Sequence, residues 1–578
     1  MTTSMIYPGK SGRIFAFLLA LLLLGSYNNS YAGAFTASGS TLTLDLDVAS
    51  QLVTVVATST TYTFTLSGGA TNTWTGTTSF DVTVSGAVLT VTAAGISTFT
   101  NINITDSQTG NAVTFATSGV NSYSNYIDVT LDNAPGAVTF NGSSSFTGTN
   151  GLSITTSMYI TFAASSSLTT ENGDITLSAN MQVTPSSLLF SGITVNNAKV
   201  EITGTGILSM TARGGTGTGA PVFANKGIAV ISGGLVKGGT TGTMNIEGRG
   251  YTGVAGTQYG IGVLVTGTGS LGASTISSIG ANVSVTGYGA VSTAACVNYQ
   301  SNIGVVVGEQ GSFESSVFGT ITSGDNGTVT ISGYGGTALS PASSVSSYCC
   351  GVMINSSNSL VSSGVSGDVT VTGTAGGPAI LGGYNYGVYV RSGMITSGAN
   401  ASVSVTGNGC TTAEGSVGSG GYKMAGVNLL SGKIKAGSGT GNTQVTGTGG
   451  GVGACSNNYG VFMDNSSEIG SFSSGNVTVK GYGGNNSGTG ANNQGIYLSN
   501  NSVITANGGN ISVEGVAGGG PATGYNYGLN VSGGTSVTAV GNGTINVIGR
   551  GGNINGLSGD QNHGVFIKMP DLAGLHVL

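Results

Sequence analysis

The chain has 578 residues, of which 106 are Gly, one is Trp and only 6% are charged, with a formal net charge of −6. Globular domains carry about 25% charged residues, so solvated helices cannot be assembled from this composition, and Ser, Thr and Asn must furnish the polar surface. The 14 Lys and Arg residues form no cluster beyond the N-terminus, which excludes a nucleic-acid footprint.

The first 32 residues read as a secretory signal. Lys10 and Arg13 form a positive n-region, and Ile14 to Leu24 is an apolar run too short to span a bilayer. Small residues follow, so cleavage after Ala32 is expected, within a leading helix that the mature protein lacks. No later segment reaches transmembrane length, so no integral span is expected in the mature chain.

Residues 33–200 contain alternating apolar runs such as "TLTLDLDV" and "FDVTVSGAVLTVTAA", without a clear long period. Alternation of this kind is the signal of a half-buried strand. The segment is expected to be an irregular, capping start of the array that follows, since the open end of a stack of strands must be blocked, with a separate β-sandwich as the alternative.

Residues 201–568 carry the array. One unit recurs: a Gly, a short apolar strand, a turn, and a second alternating strand ending in Gly. The leading glycines are Gly227, Gly262, Gly304, Gly351, Gly387, Gly426, Gly460, Gly495, Gly528 and Gly564, spaced 33 to 47 residues apart. The second strand recurs as "TMNIEG", "NVSVTG", "TVTISG", "DVTVTG", "SVSVTG", "TQVTG", "NVTVKG", "NISVEG" and "TINVIG". One and three residues after each leading Gly, every position is aliphatic or Met, from Ile228 and Val230 to Val565 and Ile567. Residues two apart share a face of a strand, so these columns form the expected core.

A unit of two or three short strands cannot bury its own apolar face, but stacking on the next unit does so. The expected fold is therefore all-β, a parallel β-solenoid of tandem repeats. At 20 to 35 residues per winding and roughly 4.8 Å rise, the rod would be on the order of 75–130 Å long. The glycines are expected to mark corners with positive φ. Residues 569–578 form a tail after a last Gly that has no second strand behind it, as in a truncated reading frame.

The position between the two core columns is expected to point outward. Its aromatic members, Tyr389, Phe462, Tyr497 and Phe566, are the candidate binding stripe. Tyr residues beside the leading glycines (Tyr259, Tyr386, Tyr459, Tyr527) and in "GYG" (Tyr288, Tyr334, Tyr482) should form ladders along the rod, by cross-winding packing or as a platform for sugar rings.

Five cysteines, Cys296, Cys349, Cys350, Cys410 and Cys455, fall between repeats. Loops stacked on one edge could be bridged in an oxidising compartment, so these are the candidates for disulfides. The odd count leaves at least one thiol over or bonded to another molecule.

No cysteine pair has zinc-type spacing, and His563 and His576 lie at the extreme end, so no metal site and no cofactor are expected. Catalytic residues are expected to be none. Acid/base work on a sugar takes two carboxyl groups, but Glu247, Asp325, Asp368, Glu414, Asp464, Glu468, Glu514 and Asp560 occupy non-equivalent places, and Asp45 and Asp47 are the closest alternating pair.

The run "ENGDITLSAN" (Glu171 to Asn180) and the tandem "GNVTVKGYGG" units resemble the β-helical passenger regions of bacterial haemagglutinin-like and autotransporter adhesins. The resemblance implies a right-handed parallel β-helix at the outer cell surface, used for attachment. Expected partners are cell-surface glycans or proteins, or further copies of the chain. The alternative is a polysaccharide lyase or hydrolase on the same scaffold. Three or more acids or bases converging within about 6 Å in one groove would favour the enzyme. Flat sides lined by Thr, Asn and Tyr would favour adhesion.

Overall fold

The computed structural model describes residues 33–568 apart from 69–72, 77–78, 116–118, 217–224, 254–259, 269, 296–301, 309–316, 340–347, 378–384, 411–413, 416–423, 454, 485–489, 520–523 and 553–560. The expected signal segment, the tail, Tyr259, Cys296, Asp560 and His576 lie outside the described residues, as does the side chain of Glu414.

Three strands make each winding, and like strands pair in parallel between windings. Face A holds strands such as Met244–Arg249 and Val283–Tyr288, face B strands such as Ile228–Ile231 and Val263–Thr266, and face C strands such as Leu235–Gly238 and Ser274–Ser278. The chain visits B, C and A in turn and then steps up one rung. Face C was read only as a turn in the sequence. Its strands are as short as three residues, and in the repeat array they turn a single large side chain inward, such as Val236, Ile276, Ile321 or Ile395.

The expected core columns are buried. Ile228, Val263, Val305, Val352, Val388, Val427 and Val461 are all 0% exposed, as are their partners two residues on. Each sits in register on its counterpart one winding away, Val263 on Val305 and Val305 on Val352. At the last rung Val565 and Ile567 are exposed, because no further described strand stacks on them. Fifteen of the seventeen face A strands form this parallel ladder, which spans about 67 Å at roughly 4.8 Å per rung. That is shorter than the sequence-based length, because loops lengthen each winding without adding rise.

The ladder crosses residue 200 without a break: Ile175–Ala179 pairs with Leu208–Arg213, and Ile193–Asn196 with Ile228–Ile231. Below it the windings are tighter. Register takes Ile102 to Ile127, Leu152 and then Ile175, so each turn uses 23 to 25 residues. Their core is partly aromatic. Phe115, Phe140 and Phe162 stack at 4.9 and 4.4 Å on face B, and Tyr123 stacks on Phe146 at 4.8 Å on face C.

Antiparallel pairing closes the first winding. Ala34–Ser38 pairs with Thr41–Leu46, Leu52–Ala57 with Tyr62–Ser67, and Tyr62–Ser67 with Val88–Val91. A short helix, Ala93–Thr98, follows, with the Thr92 side chain accepting from Gly95 N–H. Trp74 is buried in this cap and donates to the Phe64 carbonyl. Reversing strand direction leaves fewer open parallel edges for another chain to join.

Repeated glycines serve close approach, and the positive φ expected of them is not found. None of the leading glycines, nor their partners at the ends of the face A strands, has positive φ. Instead the two columns meet back to back. A Cβ at Gly287, Gly333, Gly373 or Gly407 would lie 2.0–2.1 Å from the carbonyl oxygen of a leading Gly.

One buried acid makes the fold pH-sensitive. Asp106 ends the first face A strand of the regular windings and accepts from the N–H groups of Asp132 and Asn133. Burial raises its carboxyl to about 6, against hydrogen bonds from Asn133 that pull it down. The folded chain thus holds this proton more tightly than the unfolded chain. Its contribution is fully present below the ordinary value of 3.8 and is lost as pH rises to about 6. Asp106→Asn, which keeps one acceptor oxygen, is expected to melt above wild type at pH 7.5 and level with it at pH 3.5. A gap independent of pH would contradict this.

Candidate functional site

The stripe between the core columns does face away from the main core, but it is not an open surface. Tyr389 is 7% and Phe462 4% exposed, while Tyr497 and Phe566 are half-buried. Tyr389 and Phe462 join Leu264, Val306 and Met353 in a second apolar cluster outside face B, Tyr497 packs against it, and Phe566 stacks on Tyr527. The residues preceding the leading glycines complete the cluster: Ile261, Ile303, Cys350, Tyr386, Ala425 and Tyr459. Alternation in a single strand cannot reveal this, because it identifies two faces without saying that both are covered. Aromatic contacts run through the cluster, with Tyr386 on Tyr389 at 4.9 Å and Tyr459 on Phe462 at 5.0 Å. These rings pack, and their burial leaves them poor candidates for meeting a ligand.

Beside the cluster runs a column of buried asparagines two residues before the leading glycines. Asn493 Oδ1 accepts from Asn458 N–H and Nδ2, and Asn526 Oδ1 accepts from Asn493 N–H. The sequence signal is the Asn two residues before the leading Gly, in "NYG" at Asn458 and Asn526 and in "NQG" at Asn493.

Cys349, Cys350, Cys410 and Cys455 are all buried, and no two of them are bonded to each other. Cys410 and Cys455 share a small apolar cluster with Ala375 and Met424. Burial pushes the Cys350 thiol up to about 12, away from thiolate chemistry at neutral pH.

Among the described residues no three His, Cys, Asp or Glu side chains converge as a metal site. His563 is stacked flat beside Tyr527 and Phe566. One group of three charges does converge: Glu201 on face C bridges Lys199 at 2.8 Å and Lys237 at 2.9 Å. Burial works to raise the Glu201 carboxyl, but the two ammonium groups outweigh it and hold it below its usual value. A single carboxylate kept ionised by two lysines is a poor proton donor and lacks the second carboxyl that sugar hydrolysis needs. Asp47 is raised by burial and then by the charge of Asp45, and it is held by the Gly33 backbone.

The open surface is the outer side of face A. Its strands bury alternate residues, so three columns point out. Along the column at the strand ends, register places Arg213, Arg249, Tyr288, Tyr334, Thr374, Asn408, Thr448 and Tyr482 one above another. The Arg249 guanidinium lies 4.4 Å over the Tyr288 ring, and Tyr288 stacks on Tyr334 at 5.0 Å and 9°. Tyr334 is 41% exposed and Tyr482 36%.

Between these two tyrosines three rungs carry only short or amide side chains. They are Thr370, Thr372 and Thr374, then Ser404, Thr406 and Asn408, then Gln444, Thr446 and Thr448. The result is an uncharged bed of nine hydrogen-bonding side chains, with an aromatic ring at each end. One carboxylate borders the bed: Asp368, two residues before Thr370, accepts from Ser402 N–H. Along the ladder the next charge is Lys480, which pairs with Glu514. Four rungs separate Tyr334 from Tyr482, about 19 Å, and the outward residues of one strand span about 13 Å.

Compared with known proteins, this chain matches no family model, no curated protein and no solved structure.

Proposed function

We propose that the chain is an exported, non-catalytic surface protein that attaches cells through the long outer side of its solenoid. The single observation that carries this reading is the outer side of face A, where three successive rungs present only Thr, Ser, Asn and Gln side chains in register. Such a surface offers many weak hydrogen bonds in register, which suits multivalent contact. Export rests on the apolar run from Ile14 to Leu24 and the small residues before Gly33. A right-handed winding is the sense that parallel crossover connections take in nearly all sheets. The repeat style shared with haemagglutinin-like and autotransporter passengers points the same way, toward the outer cell surface.

The reading has two measurable parts. Expressed in a bacterium with an outer membrane, the full chain is expected outside the cytoplasm, with a mature N-terminus at Gly33. Beads coated with residues 33–578 are expected to adhere to cells well above albumin-coated beads. Retention in the cytoplasm with Met1 intact would remove the first part, and adhesion no better than albumin the second.

A further inference from the structure

We infer that the bed between Tyr334 and Tyr482 is a binding site for a neutral, linear polysaccharide lying along the rod axis. This rests on the adhesive reading above and deepens it by naming the class of ligand and the residues that take it.

Three features of the bed select that class. First, no residue of its three rungs is charged, so it offers nothing to pair with a carboxylate, sulfate or phosphate. A neutral polyhydroxyl ligand is the electrostatic complement. Second, hydroxyl and amide side chains both donate and accept, as sugar hydroxyls do. All nine bed residues are of this kind, and the rungs recur at roughly 4.8 Å, so equivalent contacts repeat along a chain of repeating units. Third, the ends are aromatic. Tyr334 has one ring face on Tyr288, and register sets the short Thr374 beside it on the other side. A half-exposed ring above a small neighbour is a place for the apolar C–H face of a pyranose, and Tyr482 provides a second one four rungs away.

Flanking charge sharpens the choice. On one side the guanidinium of Arg249 is paired with Glu247 at 2.8 Å and lies over Tyr288. On the other, Lys480 faces Glu514. An acidic glycan would find these cations already matched. The site therefore discriminates by having no cation in its three rungs and a carboxylate, Asp368, at its border, both unfavourable to an acidic ligand.

Affinity electrophoresis tests this with the mature chain run through gels containing dextran, glucomannan or xyloglucan, and in parallel alginate or hyaluronan. At least one neutral polysaccharide is expected to retard the protein. The double variant Tyr334→Ala/Tyr482→Ala should weaken that retardation at least tenfold, and Thr406→Lys, which puts a charge at the centre of the bed, should do the same. Phe80→Ala, at an exposed site in the N-terminal cap, should behave as wild type. Retardation only by the acidic gels, no retardation in any gel, or equal retardation of wild type and double variant would overturn the site. The bead assay separates this from the broader reading: adhesion that persists undiminished in the double variant removes the glycan bed and leaves attachment standing, whereas absence of adhesion with neutral-gel retardation intact removes attachment and leaves the bed.

Discussion

Phe140→Ala is expected to cost about 3–5 kcal/mol of unfolding free energy, among the largest effects of any single core truncation here. Phe140 is fully buried, with Phe115 stacked on one side at 4.9 Å and Phe162 on the other at 4.4 Å. Its register neighbours are fixed by the face B ladder, so neither ring can move into the space without breaking strand pairing. The variant loses the transfer free energy of the ring, retains most of the void, and forfeits two stacked contacts worth about 0.5–1.5 kcal/mol each beyond burial. In a stacked-repeat protein such a loss is felt first by adjacent windings. Hydrogen exchange should therefore show faster opening in the strands between Asn101 and Phe162, with the windings beyond Val263 little changed. A loss below about 1 kcal/mol in denaturant unfolding would mean that the aromatic stack does not fill the core as described.

The parts of this fold legible in the sequence are those where one side chain type repeats at fixed phase. The paired aliphatic columns after the leading glycines did so, because each rung must present the same shape to the next, and they fixed both the core and the parallel stacking. Face C left almost no trace. In the repeat array its strands carry one large inward aliphatic residue, such as Ile395 or Ile434, and a lone residue of that kind resembles a turn. The early windings hid their period for a related reason. Phe115, Phe140 and Phe162 occupy one column, but the leading position of these strands holds Ala112, Ala137 and Tyr159 in place of Gly, so nothing marks the phase. Tyr389 and Phe462 of the stripe point away from the main core, as alternation says, yet they pack within a second apolar cluster that alternation in one strand cannot reveal. The face A bed was present all along in strings such as "DVTVTG" and "SVSVTG", read for their valines and not for the threonines and serines between them.

Gly407→Ala is expected to destabilise the chain by at least about 3 kcal/mol, and the reason is separable from backbone conformation. Gly407 lies in an ordinary strand with no positive φ, so alanine would be no worse there than in any other strand. The obstacle is the neighbouring backbone. A Cβ would stand 2.0 Å from the Gly426 carbonyl oxygen, 2.5 Å from its carbon and 2.8 Å from Val427 Cγ2. The first two atoms belong to a peptide whose oxygen is already engaged, accepting from Val388 N–H in the preceding winding, so it cannot withdraw. Moving face A outward instead would pull Val403 and Val405 off the core. Thr406→Ala, one residue away on the outer side, touches neither column and should stay within about 0.5 kcal/mol of wild type. The comparison isolates the close approach of the two glycine columns as the device that closes the corner between faces A and B. Equal midpoints for the two variants in denaturant would mean that the backbones do not meet there, and the closed cross-section would have to be redrawn.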